Sequence, residues 1–437
     1  MIRPVFTAIT ALIFALPAWA VDIEEVVSPG GGISAWLVED HSIPFVALDI
    51  RFQGGTSLDE PGKRGATFLM TGLLEEGAGD LDSQGFAAAT EALAAEFDFS
   101  AYRDSLVINA QMLTQNRDHA ADLLRQAIVT PSFDEAALER VRGQVLSIID
   151  SDAQDPATIA ATQFNALAFG NHPYASAQEG TTASVSALTR DDMIAAHRAA
   201  FARDRVFVGA AGDITAEELG LLLDTLLGDL PAEGAPLPGP APYLLDGGTT
   251  VVDFPTPQSV AYFGHRGIER QDPDFFPAFV LNQIIGGGNF RSRLMQEVRV
   301  ERGLTYGIYT YLALSDHQPM MLGQFSSSND LVAEAVAVTR AEWTDIATNG
   351  VTEEELDAAK LFMTGAYPLR FDGNNTIAGI LAGMQQDGMP VDYIATRNAQ
   401  VDAVTMDDIR RVAARVLQPE NLHFVVVGQP EGLEPGN

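Results

Sequence analysis

The chain has 437 residues, no cysteine, 46% apolar residues and a formal charge of −33. Disulfides and thiolate metal sites are excluded, and a field of this sign repels phosphate backbones, which excludes nucleic acid as a partner. The apolar fraction is ample for packed cores, and the length allows two to four domains of about 100–200 residues each.

In chain order, residues 1–20 (MIRPVFTAITALIFALPAWA) carry Arg3, a short apolar run and an Ala-Trp-Ala end that fits cleavage before Val21. The expectation is a signal peptide on an exported, periplasmic protein with no membrane span after cleavage. Residues 33–38 and 45–52 alternate as half-buried strands do. Helical patterns follow at 62–76, closed by Gly77, and at 84–97, 117–129, 135–150 and 157–169, with further strands at 105–113 and 206–211. Strands and helices come in mixed order without regular βαβ alternation. That predicts an α+β fold: a mostly antiparallel or mixed sheet with helices on one face. Residues 230–248 (LPAEGAPLPGPAPYLLDGG) are rich in Pro, Gly and Ala and read as a linker.

The two halves repeat each other. The stretch VSALTRDDMIAAHRAAFARDRVFVGAAGD from Val185 matches VDAVTMDDIRRVAARVLQPENLHFVVVGQ from Val401 without a gap. Thr189 meets Thr405, Asp192 meets Asp408 and Gly212 meets Gly428. FDEAALERVR from Phe133 resembles VTEEELDAAK from Val351 at nearly the same offset. Two matches in order indicate an internal duplication of two α+β domains. The division is signal peptide 1–20, N-terminal domain 21–229, linker 230–248, C-terminal domain 249–430 and tail 431–437.

Several kinds of chemistry lack their residues. There is no G-x-S-x-G elbow, and DEPGKRG has Arg64 where a phosphate loop needs Ser or Thr. None of the seven histidines has another on the adjacent turn of a helix, the arrangement by which one helix presents two zinc ligands. The stretch IIGGGNFRSRLMQEVRVERGLTYGIYTYLAL is more informative. Gly286, Gly287 and Gly288, followed by Asn289 and Phe290, let a chain approach the backbone closely and are candidate substrate-binding residues. A charged helix follows, then an aromatic strand, with Arg299 and Tyr306 seven residues apart. Two readings stand open for this pair. Both could donate to a carbonyl oxygen that gains charge, or Arg299 could pair with Glu297 or Glu301 while Tyr306 anchors the sheet.

These stretches, with EDHSIPFVALDIRFQGGTSLDEPGKRGATFLMTGLLEEGAG and FGNHPYA, resemble the insulinase-type (M16) zinc peptidases over most of the chain. The resemblance implies two homologous α+β domains forming half of a clam that closes around a peptide. The family's zinc helix carries His-x-x-Glu-His, and those three functional positions fall here on Phe68, Thr71 and Gly72. The family's third ligand falls near Ser147 and Ile148, with Asp150 a near miss. No metal and no cofactor is therefore expected in this chain. Arg299 and Tyr306 match the family's Arg and Tyr that reach across the clam to the substrate carbonyl. The implied function is a non-catalytic subunit that forms a heterodimer with a His-x-x-Glu-His homologue, which carries the zinc, to hydrolyse peptides. The rival readings are a stand-alone peptide-binding or scaffold protein and an active peptidase with an atypical metal site.

Overall fold

The structure, a computed structural model, describes residues 22–288 and 290–433. The predicted signal peptide, Asn289 and residues 434–437 of the predicted tail lie outside them. The first half runs β1 (Glu24–Val27), β2 (Ser34–Glu39), β3 (Phe45–Gln53), α1 (Ala66–Thr71), β4 (Gly77–Ala78), β5 (Leu81–Asp82), α2 (Ser83–Ala92), β6 (Glu96–Ala101), β7 (Ser105–Leu113), α3 (Arg117–Val129), α4 (Glu135–Asp152), α5 (Pro156–Phe169), α6 (Thr182–Ala187), α7 (Arg190–Ala200), β8 (Val206–Gly212) and α8 (Ala216–Leu227). The second runs β9 (Gly248–Asp253), β10 (Gln258–Arg266), α9 (Phe275–Gly286), β11 (Ile308–Ala313), β12 (Met320–Ser328), α10 (Val332–Asn349), α11 (Glu353–Ala366), α12 (Asn374–Gln386), α13 (Tyr393–Asp402), α14 (Met406–Val416) and β13 (His423–Gly428).

The duplication is visible in the topology. The first sheet has the order β1-β2-β8-β3-β7-β6 and the second β9-β13-β10-β12-β11, so five strands of each occupy equivalent places. The β2–β8 and β9–β13 pairs are parallel; the other pairs in both sheets are antiparallel. The repeated segment is built alike in both copies. Thr189 caps α7 in a reciprocal box with Asp192, and Thr405 caps α14 in the same box with Asp408.

The central strands of each sheet are buried on both faces, with side chains alternating between them. On β3, Val46, Leu48, Ile50 and Phe52 enter the core made with helices of the first half, while Ala47 points the other way. That other face is covered by α12 from the second half. Gly209 on β8 makes the approach possible: a Cβ there would lie 2.0 Å from the Ala378 carbonyl oxygen. The exchange is mutual. Phe263, Phe424 and Val426 face the core of the second half, and Tyr262, Val425 and Val427 face α5 of the first, where Phe164 packs.

Four sequence expectations change. The helix expected over 62–76 is only α1; Gly65, left-handed at φ 90°, starts it and Gly72 ends it, so Gly77 belongs to β4 rather than closing a helix. The helix expected over 84–97 ends at Ala92, and Phe97 lies on β6, where Glu96 to Ala101 alternate. Ala94, at φ 47°, reverses the chain between them. Helices also cover both faces of the central strands, the second face by exchange. Residues 230–248 contain no helix or strand before Gly248. Their Ala241 and Tyr243 are buried beside α5 and the second sheet, so this stretch is a packed strap.

FGNHPYA sits at the joint between halves. The Tyr174 hydroxyl is 2.6 Å from Asp104 and accepts the His317 N–H at 3.1 Å. His172 Nδ1 accepts the Tyr174 N–H, and its Nε2 is 3.0 Å from the Gly239 carbonyl on the strap.

Buried histidines give the fold a pH dependence. Trp343 donates its indole N–H to His265 Nε2 at 3.0 Å, and His265 Nδ1 donates to the Arg266 carbonyl at 2.6 Å. Both ring nitrogens are used by a neutral imidazole, and burial pulls its pKa down to about 4. Burial also lowers His172, His197 and His423, while exposed His41, paired with Asp213, shifts the other way. A depressed histidine contributes stability that is fully present above about pH 6.5 and lost as the pH falls toward its folded value. Urea unfolding should show about 2 kcal/mol less stability at pH 5 than at pH 7 from His265 alone. A flat profile would mean that these rings are not held neutral.

Candidate functional site

The first-half helix is built around Asp59. Its buried carboxylate accepts the Gly65 N–H at 2.8 Å, the Thr67 N–H at 2.9 Å and the Thr67 hydroxyl at 2.6 Å. These bonds satisfy donors that α1 would otherwise leave orphaned. Thr71 turns its hydroxyl back to the Thr67 carbonyl at 2.8 Å. Phe68, Thr71 and Gly72 line a cavity of about 580 Å³ between α1, β6 and α4. Ile148 lines it as well, and no histidine does. Glu75 stands at the wall; burial and the like charges of Asp98 and Glu76 raise its pKa. A phenyl ring, a glycine and a hydroxyl committed to its own helix cannot hold zinc, so these residues do not fit the metal. Among the described residues, no group of three or more His, Asp or Glu is arranged to hold one elsewhere.

The second-half site is organised differently. At the end of α9, Gly286 is buried; a Cβ there would lie 2.6 Å from the Thr310 hydroxyl on β11. Gly287 packs on Gln283 in the same way. The smallness of Gly286 thus serves packing of helix against strand, and that of Gly287 a close turn back onto its own helix. Gly288 (φ 84°) and Phe290 are exposed, and Asn289 lies outside the described residues. The helix expected next is a π-helical turn, Met295–Val300, a form that recurs at functional sites. Arg293 pins its start to α10 and α11, with Asp345 at 2.8 Å and Glu355 at 2.5 Å.

The two readings of Arg299 separate here. Arg302 takes Glu297, and Arg299 makes no ion pair among the described residues. Its guanidinium lies 4.7 Å from the Phe290 ring centroid and 4.6 Å from that of Tyr306. This sandwich holds the cation without neutralising it. Tyr306 is 87% exposed, lies outside the strands, and its hydroxyl makes no hydrogen bond among the described residues. Two strong donors therefore stand together at the surface with unused capacity. The sequence missed the division of labour among the arginines: Arg293 anchors, Arg302 neutralises Glu297, and Arg299 stays available. The E-V-R-V-E-R spacing offered both Arg299 and Arg302 to the same glutamates.

A duplicated α+β chain with one cleft that lacks a zinc-ligand set and one exposed Arg/Tyr pair defines a half-clam relative of peptidases. The insulinase (peptidase M16) family model matches residues 35–182, and the peptidase M16 inactive domain model matches residues 187–363. The chain belongs to the insulinase-type M16 family. It is 27% identical to the non-peptidase homolog YmxG of Helicobacter pylori, over 89% of this chain and 90% of that protein. It is 26% identical to the uncharacterized zinc protease ML0855 of Mycobacterium leprae, over 81% of this chain and 80% of that protein. A solved peptidase M16 inactive domain from Pseudomonas fluorescens superposes with a TM-score of 0.88 at 26% identity, covering 95% of this chain and 100% of that one. Among the described residues no helix is long and apolar enough to cross a membrane.

Proposed function

We propose that this chain is the non-catalytic subunit of a two-chain periplasmic zinc metalloendopeptidase. It supplies Arg299 and Tyr306 to the substrate carbonyl, and a His-x-x-Glu-His homologue supplies the zinc. The observation that carries this reading is the exposed, unneutralised Arg299 held beside a Tyr306 hydroxyl with no partner of its own. Inside this chain the pair has nothing to act on. The cavity at Phe68, Thr71 and Gly72 is lined by Glu75 and Glu76 but by no histidine, and no group of three ligands occurs among the described residues, which supports a reacting centre on another chain. The leader-like residues 1–20 support export.

The test is purification from the native periplasm, with elemental analysis and peptide cleavage measured on the isolated chain and on whatever accompanies it. The isolated chain should hold no stoichiometric zinc and cleave nothing, whereas the pair should hold zinc and cleave peptide. Stoichiometric zinc on the isolated chain, lost on mutating a histidine, would favour an atypical metal site. A chain that never co-purifies with a zinc-bearing homologue would be a scaffold.

A further inference from the structure

A second cavity, of about 330 Å³, lies between α9, α12, α13 and the 3-10 turn Tyr367–Arg370. Its walls include Phe279, Tyr367, Phe371 and Tyr393, with Arg370 and Arg397. The site is separate from the Arg299 and Tyr306 pair and is not used in the function proposed above.

Its charge is unusual for this chain, which has 59 acidic residues against 26 basic ones. Arg397 is 4% exposed, and no carboxylate among the described residues lies within ion-pair distance of it. It is held by the Met363 carbonyl at 2.8 Å and the Asn398 side-chain oxygen at 2.9 Å, over the Tyr367 ring at 4.5 Å. Arg370, exposed at the rim, has no carboxylate partner either. Arg270 stands behind the wall, 5.0 Å from the Tyr393 ring. The charges of all three arginines act on the Tyr367 hydroxyl. Asp387 senses Arg270 but lines a neighbouring cavity with Gln271 and Asp316. A buried guanidinium without a counter-ion carries a desolvation cost that an anion would offset, and guanidinium forks match carboxylates in geometry.

We propose that this cavity binds a small hydrophobic carboxylate. Arg397 and Arg370 take the acid group, and Phe279, Phe371 and Ile380 take the apolar body. The volume sits at the small end of ligand pockets, which limits the body to about one aromatic ring or a branched aliphatic chain. Such a group occurs at the C-terminus of a peptide and in free aromatic or aliphatic acids.

Titration calorimetry on the full chain distinguishes these sources. N-acetylphenylalanine should bind with a Kd of about 1 mM or tighter, and its neutral amide should bind at least about tenfold more weakly. Equal binding of 3-phenylpropionate would identify free acids as sufficient; binding of N-acetylphenylalanine alone would point to a peptide C-terminus. Because Arg397 also holds the Met363 carbonyl, the variant of choice is Arg370→Glu at the exposed rim. It should weaken the acid about tenfold or more with little effect on the amide, and circular dichroism should be unchanged. Acid and amide binding alike, no binding of either acid, or an Arg370→Glu chain that binds as tightly as wild type would overturn the proposal.

Discussion

Tyr306→Phe in the assembled pair should lower kcat roughly 100- to 1,000-fold, the usual effect of removing one oxyanion donor. The substitution removes one O–H and almost no volume, and it keeps the ring on which Arg299 stacks. KM should change much less, because ground-state binding of a peptide comes mainly from contacts along its backbone, whereas the donor acts as the carbonyl oxygen gains charge. Arg299→Lys keeps the charge and loses the rigid fork and the stacking between Phe290 and Tyr306, so it should also be impaired. Steady-state kinetics on the reconstituted pair, with gel filtration to establish assembly, decides the matter. An assembled Tyr306→Phe complex with near-normal kcat would remove both residues from the chemistry and leave the chain a scaffold.

Asp49→Ala should destabilise the chain by about 3 kcal/mol, the low end for breaking a buried pair, because Arg51 keeps some contact with solvent. Arg51 donates to Asp49 at 2.7 Å and to the Gly379 carbonyl of α12 at 2.9 Å. The pair therefore fastens a second-half helix to the first-half sheet. Without Asp49 the guanidinium is left against α12, where a Cβ on Gly383 would lie 3.1 Å from it. Two readouts separate this from ordinary core loss. Urea unfolding gives the free energy, and hydrogen exchange should quicken in residues 374–386, far from the mutation in sequence. Asp49→Leu combined with Arg51→Met should recover most of the loss, since apolar replacement of a buried pair is often neutral or better. Unchanged exchange in α12 would mean that Gly209 and its apolar neighbours hold the helix alone.

The sequence by itself determined the fold class, the duplication and the candidate pair. Period-two and helical patterns are local properties, and the Thr189 and Thr405 capping boxes are written within four residues each. The replaced residues at Phe68, Thr71 and Gly72 needed only the family's spacing. What the sequence missed depends on distant partners. The helix over 62–76 was overextended because its apolar spacing continues past Gly72, while its start is set by Asp59 hydrogen-bonded to Gly65 and Thr67. Neither α5 nor α12 could be assigned to a sheet, because each is covered with small and apolar residues and its place is fixed by Phe164 against Tyr262 or Ala378 against Gly209. The sequence offered Glu297 and Glu301 as partners for Arg299. Only the tertiary structure gave Glu297 to Arg302 and set Arg299 between two rings, because ion pairing and ring stacking are decided by side-chain directions that the order of residues does not contain.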